Sequence, residues 1–83
     1  MKDLVHYIAQ ELLEHPEEIQ INEIAGHQTT ILELKVHPED LGKIIGRQGR
    51  TAKALRTIIN AAAMKKDKRV LLEIIETGSG ENV

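Results

Sequence analysis

Two glycines three residues apart, Gly46 and Gly49, interrupt what would otherwise be one helical pattern running from Leu41 toward Ala62. Before the break, Leu41, Ile44 and Ile45 form an apolar edge. After it, at about 100° per residue, Ala52, Leu55, Ile58, Ile59 and Ala62 fall on one side, and Arg50, Lys53, Arg56, Thr57 and Asn60 fall largely on the other. The spacing therefore predicts two helices joined by Gly46-Arg47-Gln48-Gly49, the second with a core face and a wet face. Glycine at both ends of that joint admits positive φ and, lacking Cβ, lets another chain come close. An anion there would meet free N–H groups and the positive start of the following helix.

The rest of the chain supplies the layer these helices need. Leu4, Val5, Ile8, Ala9, Leu12 and Leu13 recur at helical spacing, with Asp3 as the expected N-cap and Pro16 forcing an end. Ile19, Ile21 and Ile24 suggest a first strand, and Gly26-His27-Gln28 a turn into a second. In "TTILELKV", Thr30, Leu32, Leu34 and Val36 share one face, so this strand is buried on one side. His37-Pro38-Glu39-Asp40 reads as a helix start, with Pro in the first turn and acids near the positive end of the dipole. "KKDKR" closes the long helix, and in "RVLLEIIE" Val70, Leu72 and Ile74 alternate with Leu71, Glu73 and Ile75. The order α-β-β-α-α-β predicts an α+β domain over residues 1–76, three strands backed by three helices, with 77–83 as a flexible tail. With no Cys, Phe or Trp and a single tyrosine, Tyr7, among 83 residues, the core must be built from Ile, Leu, Val and Ala.

Charge is distributed unevenly. Nine of the 11 Lys and Arg lie between Leu41 and Arg69, where Asp67 is the only acid, although the whole chain has formal net charge −2. A polyanion would be drawn to this segment and repelled elsewhere, so the mildly acidic total does not exclude a nucleic-acid partner. The near-absence of aromatic rings counts against recognition by base stacking on an RRM-like or OB-like platform. Nucleotide chemistry is also disfavoured, because G-x-x-x-x-G-K-[ST] is missing and the glycines at 42, 46 and 49 do not match G-x-G-x-x-G. Absence of Cys removes disulfides, thiolate catalysis and Cys-based metal sites. His6, His15, His27 and His37 fall on different predicted elements, so no metal site and no cofactor is expected. Glu39 and Asp40 are accounted for by helix capping. No leader pattern and no apolar run of about 18 residues is present, which predicts a soluble cytoplasmic domain without a membrane segment.

"LGKIIGRQGRT", set between two helices in this strand order, resembles the KH domain, and the likeness extends from Lys2 to about Glu76. It is similar to the bacterial, type II arrangement found in small stand-alone RNA-binding proteins. The resemblance implies a groove for short single-stranded RNA with the G-x-x-G loop and its helices as one wall and the sheet, with "TTILELKV" as candidate, as the other. Lys43, Ile44, Ile45, Gly46, Arg47, Gln48, Gly49, Arg50 and Lys53 would be the RNA-binding residues. It further implies a non-enzymatic post-transcriptional regulator or RNA chaperone that forms a homodimer or pairs with a second KH-domain protein.

Two alternatives remain on sequence alone. A pair of helices around a glycine turn also describes a helix-turn-helix module for duplex DNA. A protein-interaction role is suggested by Ala54, Thr57, Ala61 and Met64, a stripe of small or apolar residues on the wet side of the long helix and a candidate dimer interface.

Overall fold

The computed structural model describes residues 1–77, and its elements follow the expected order: helix α1 (Lys2–Leu12), strands β1 (Gln20–Ala25) and β2 (Thr29–Val36), helices α2 (Leu41–Ile45) and α3 (Arg50–Met64), and strand β3 (Arg69–Glu76). The sheet order is β1-β2-β3; β1 and β2 form an antiparallel hairpin, and β3 returns parallel to β2 after the α2–α3 crossover. A parallel return needs such a long connection, whereas the hairpin closes over three residues with Gly26 N–H donating to Thr29 O at 2.8 Å. The result is an α+β fold with a mixed three-stranded sheet.

One aliphatic core joins both layers. Leu32, Leu34 and Val36 on β2 are fully buried, and Val5 and Ala9 of α1, Ile44 of α2, Leu55, Ile59 and Ala63 of α3, and Val70 and Leu72 of β3 close around them. Each large aliphatic side chain so buried stabilises the fold by about 1.5–3 kcal/mol before entropy is charged against it.

Some expectations need correction at the edges of this core. Helix α1 starts one residue before Asp3 could cap it; Met1 is the N-cap, without a side-chain bond, and Asp3 sits in the first turn, where it still favours the dipole. Leu12 is 45% exposed and Leu13 takes the buried place, because the chain leaves helical geometry at Leu13 (φ −98°, ψ 159°) and turns that side chain inward. Ile58 is 48% exposed, and Ala63, not Ala62, completes the buried stripe of α3. Thr77, the first residue of the expected tail, donates its N–H to Val36 O at 2.7 Å; the rest of that tail, residues 78–83, lies outside the described residues.

Helix α3 ends in a Schellman motif, with Lys68 N–H donating to Ala63 O and Asp67 N–H to Met64 O. Asp67 occupies the left-handed position at φ 55°. That conformation is tolerated by Asp better than by most residues, which accounts for the lone acid in the basic segment.

Asp40 was expected to cap the helix that follows it, and it does something else. Its side chain, 1% exposed in residue terms, reaches 26 residues back to the end of α1, where Oδ1 accepts from Glu14 N–H at 3.2 Å and Oδ2 from His15 N–H at 2.9 Å. Capping beside it is done by His37, whose Nδ1 accepts from Glu39 N–H at 3.0 Å. Burial alone would raise the Asp40 pKa; the two amide hydrogen bonds and the neighbouring His15 and His37 outweigh it and hold the carboxyl below its usual value. Asp40→Ala should lower the thermal midpoint by about 5–10 °C, because two amides lose their acceptor. Asp40→Asn, which keeps one acceptor oxygen, should lower it by less. Circular dichroism melts of both variants check this, and an alanine variant as stable as wild type would remove the clamp from the argument.

Candidate nucleic-acid interface

The joint between α2 and α3 is a single tight turn at Arg47–Gly49. Gly46 ends α2 at φ 80°, ψ 170°, and a Cβ there would lie 2.7 Å from Thr51 Cβ and 2.8 Å from Thr51 N. Both conformation and space therefore demand glycine at this position. Gly49 differs: its φ of 75° favours glycine, but a Cβ would meet nothing within 4 Å. Between them Gln48 is also left-handed (φ 58°, ψ 24°), a conformation a non-glycine residue adopts at a cost. Arg47 and Gln48 consequently project into solvent, where they contribute nothing to the core.

Helix α3 begins with Gly49 as N-cap and no side-chain cap bond. The first amide, Arg50 N–H, is taken by Arg47 O, and the positive end of a 15-residue helix dipole lies beside Arg47 and Arg50. Among the described residues, Lys43 is the only cation of the basic segment held in an ion pair, with Glu14. Lys43 stabilises the charged form of Glu14 by hydrogen bond and charge, holding that carboxyl below its usual range. Arg47, Arg50 and Lys53 are exposed and engaged in no such pair.

Nine residues were expected to serve this site, and they separate by position. Gly46, Arg47, Gln48, Gly49, Arg50 and Lys53 share the loop and the outer start of α3. Ile45 is 37% exposed beside them, whereas Ile44 is fully buried and holds α2 to the core from beneath. Lys43 is turned to α1 by its pairing with Glu14.

The expected sheet wall, "TTILELKV", is strand β2. Strand β2 is central, with both hydrogen-bonding edges taken by β1 and β3, so its backbone has no free edge to offer. Strand β3 is the edge strand packed beside α3. Arg56 spans the two, its Nε and Nη2 donating to Leu72 O at 3.3 and 3.1 Å. A shallow cleft runs between the far end of α3 and the start of β3, lined by Asn60, Met64, Lys68, Arg69 and Leu71. Asn60 and Met64 belong to α3 itself, whereas the pairing of β3 with β2, and not any local spacing, sets Lys68, Arg69 and Leu71 against it, which sequence reasoning did not reveal.

Ala54, Thr57 and Ala61 are exposed along the outer side of α3, and Thr57 Oγ1 satisfies itself on Lys53 O at 3.0 Å. Ile58, misplaced by the sequence pattern, lies next to Ala54 and Ala61 at helical spacing and enlarges that apolar stripe. Met64, 74% exposed, stands where the stripe reaches the cleft. The histidines are not all scattered: His15 and His37 stack, with ring centroids 4.1 Å apart.

Among the described residues, no helix is long and apolar enough to cross a membrane. The family model described as KhpA/KhpB, KH domain matches residues 2–74. The chain is 59% identical over 75 residues to RNA-binding protein KhpA of Clostridium acetobutylicum, covering 90% of this chain and 100% of that one. The protein of the same name from Clostridium perfringens is 56% identical over the same shares, and that of Aquifex aeolicus 49% identical over 92% of this chain and 96% of the relative. No solved structure matches. By sequence, the chain belongs to the KhpA/KhpB family of KH domains.

Proposed function

We propose that this chain binds short single-stranded RNA along a path that starts at the Gly46–Gly49 loop and follows the cleft between α3 and β3. The observation that carries this reading is the loop itself: a backbone that excludes any side chain at Gly46, a helix start without a side-chain cap, and three exposed cations beside it that form no ion pair among the described residues. Phosphates would be held by the α3 amides with Arg47, Arg50 and Lys53, as charge-assisted contacts. Lys68 and Arg69 continue the positive path at the far end, about 22 Å away along α3. Ile45 and Leu71 offer aliphatic surface for base faces. That the relatives are named RNA-binding proteins supports a binding role, not a catalytic one, and with it a part in post-transcriptional regulation or RNA chaperoning. Duplex DNA reading by α3 is disfavoured, because Leu55, Ile59 and Ala63 commit one side of the helix to the core and β3 flanks it.

The exposed stripe Ala54, Thr57, Ile58 and Ala61 supports self-association through α3, with small residues allowing two helices to approach closely. The same surface would serve for pairing with a second KH-domain protein. Either assembly would set two loops side by side and lengthen the RNA footprint.

Arg47→Asp combined with Gln48→Asp should weaken binding of single-stranded RNA at least about tenfold, roughly 1.4 kcal/mol. The acids would repel phosphate from the α3 amides, and the thermal midpoint should stay near wild type because both positions are exposed. Fluorescence anisotropy beside a melt separates the two effects, and a folded double variant with wild-type affinity would end the groove reading. Ala61→Glu should convert a dimer to monomers in light scattering with helicity unchanged, since the charge would be buried against its symmetry mate. A wild-type protein that is monomeric at high concentration would rule out the α3 interface.

A further inference from the structure

We infer that His15, His37 and Glu39 form a binding site for a first-row divalent metal ion, with zinc as the expected occupant. One ligand atom from each residue lies within 4.8 Å of the others. His15 Nε2 is 3.1 Å from Glu39 Oε1, and His37 Nδ1 is 4.0 Å from the same oxygen. Zinc at about 2.0–2.2 Å from each donor needs ligand atoms roughly 3.3 Å apart, so a contraction of up to about 1.5 Å, with the stacked His15 and His37 rings splaying to converge their lone pairs, completes three vertices of a tetrahedron. Water takes the fourth, since all three side chains retain solvent access.

The donor chemistry is selective. Two imidazoles and one carboxylate suit zinc and its transition-metal neighbours and disfavour calcium and magnesium, which prefer oxygen. An outer partner lies close by: Glu17 Oε2 is 3.7 Å from His15 Nδ1, and a small approach would let it accept that proton, so that Nε2, now bonded to Glu39, could turn its lone pair to the metal. The backbone is fixed beforehand, because Asp40 ties His15 N–H and Glu14 N–H to the segment carrying Glu39. Coordination through His37 Nδ1 takes the lone pair that now accepts the Glu39 amide, so binding gives up one N-cap bond. That cost places the site in the range of exchangeable rather than permanently structural zinc.

The ligands come from two connections, His15 following α1 and His37 with Glu39 preceding α2, 24 residues apart in sequence between His15 and Glu39. A bound ion would therefore cross-link the two segments that set the direction of α2, without occupying the RNA path.

The test uses tag-free protein stripped with chelator and titrated with zinc chloride alone, in competition with a chromophoric indicator. One equivalent should bind with micromolar affinity, and the thermal midpoint should rise as zinc is added. Cobalt(II) should give the intense visible bands of a tetrahedral N/O site. His15→Gln and His37→Asn, the latter retaining an N-cap acceptor, should each weaken zinc at least about tenfold, while His6→Ala and His27→Ala should not. A folded His15→Gln variant that binds zinc as tightly as wild type, or a wild type with no saturable binding at micromolar zinc, would overturn the site.

Discussion

The carboxylate of Asp40 is the constraint on which the arrangement of this domain depends. It is the one charged side chain of the described residues placed inside, and it is spent on two backbone amides at the far end of α1. Helix α1 ends without a glycine or a side-chain cap, and the chain then has to turn through Pro16 into the sheet. Fixing Glu14 and His15 to the residue immediately before α2 decides where α2 points. Because α2 is only five residues long, Leu41–Ile45, it has little packing of its own to set its direction, and the loop that follows inherits whatever angle the clamp imposes. The Lys43–Glu14 pair repeats the same linkage on the surface, where an ion pair adds less.

An aliphatic core suits this design. Leu32, Leu34 and Val36 form the inner face of the central strand and are covered by α1, α2 and α3 at once, so β2 is the common surface against which all helices are positioned. β-Branched and γ-branched side chains pack closely at this small scale without polar atoms to satisfy. No buried side-chain nitrogen or oxygen among the described residues lacks a partner. The outward face of the same sheet is less apolar, with Asn22 Nδ2 donating to Glu33 Oε1 at 3.1 Å across β1 and β2.

Local periodicity made most of the fold legible. Strict alternation in "TTILELKV" and "RVLLEIIE" and the split helical pattern around Gly46 and Gly49 report short-range geometry, which a sequence displays directly. What it concealed has one common cause. Ile58 and Leu12 sit at the margins of their apolar stripes, where the position of a neighbouring element, not the helical angle, decides burial. Asp40 was legible only as a cap because its true partners lie 25 and 26 residues away. His15 and His37 looked unrelated for the same reason: their contact is made by the Asp40 clamp. The loop residues of the candidate interface were readable one by one, whereas the cleft between α3 and β3 depends on β3 taking the sheet edge, a choice made by strand pairing.

That choice also sets where the cations of the basic segment lie. Edge strands invite pairing with other chains, and β3 carries the apolar Leu71 and Ile75 on its outer face. Arg56 occupies one edge carbonyl, at Leu72, from the helix side, and Arg69 begins the strand with a charge. Cations that close a sheet edge against another strand simultaneously line it for a polyanion, which has no strand hydrogen-bonding pattern to offer but is drawn by the charge. Of the nine cations between Leu41 and Arg69, Lys43 and Arg56 are committed to the fold, which leaves Arg47, Arg50 and Lys53 at the loop end of α3 and the Lys65–Arg69 turn at the other. The two groups bracket α3, and a strand of RNA lying along it would meet positive charge at both ends and aliphatic surface between.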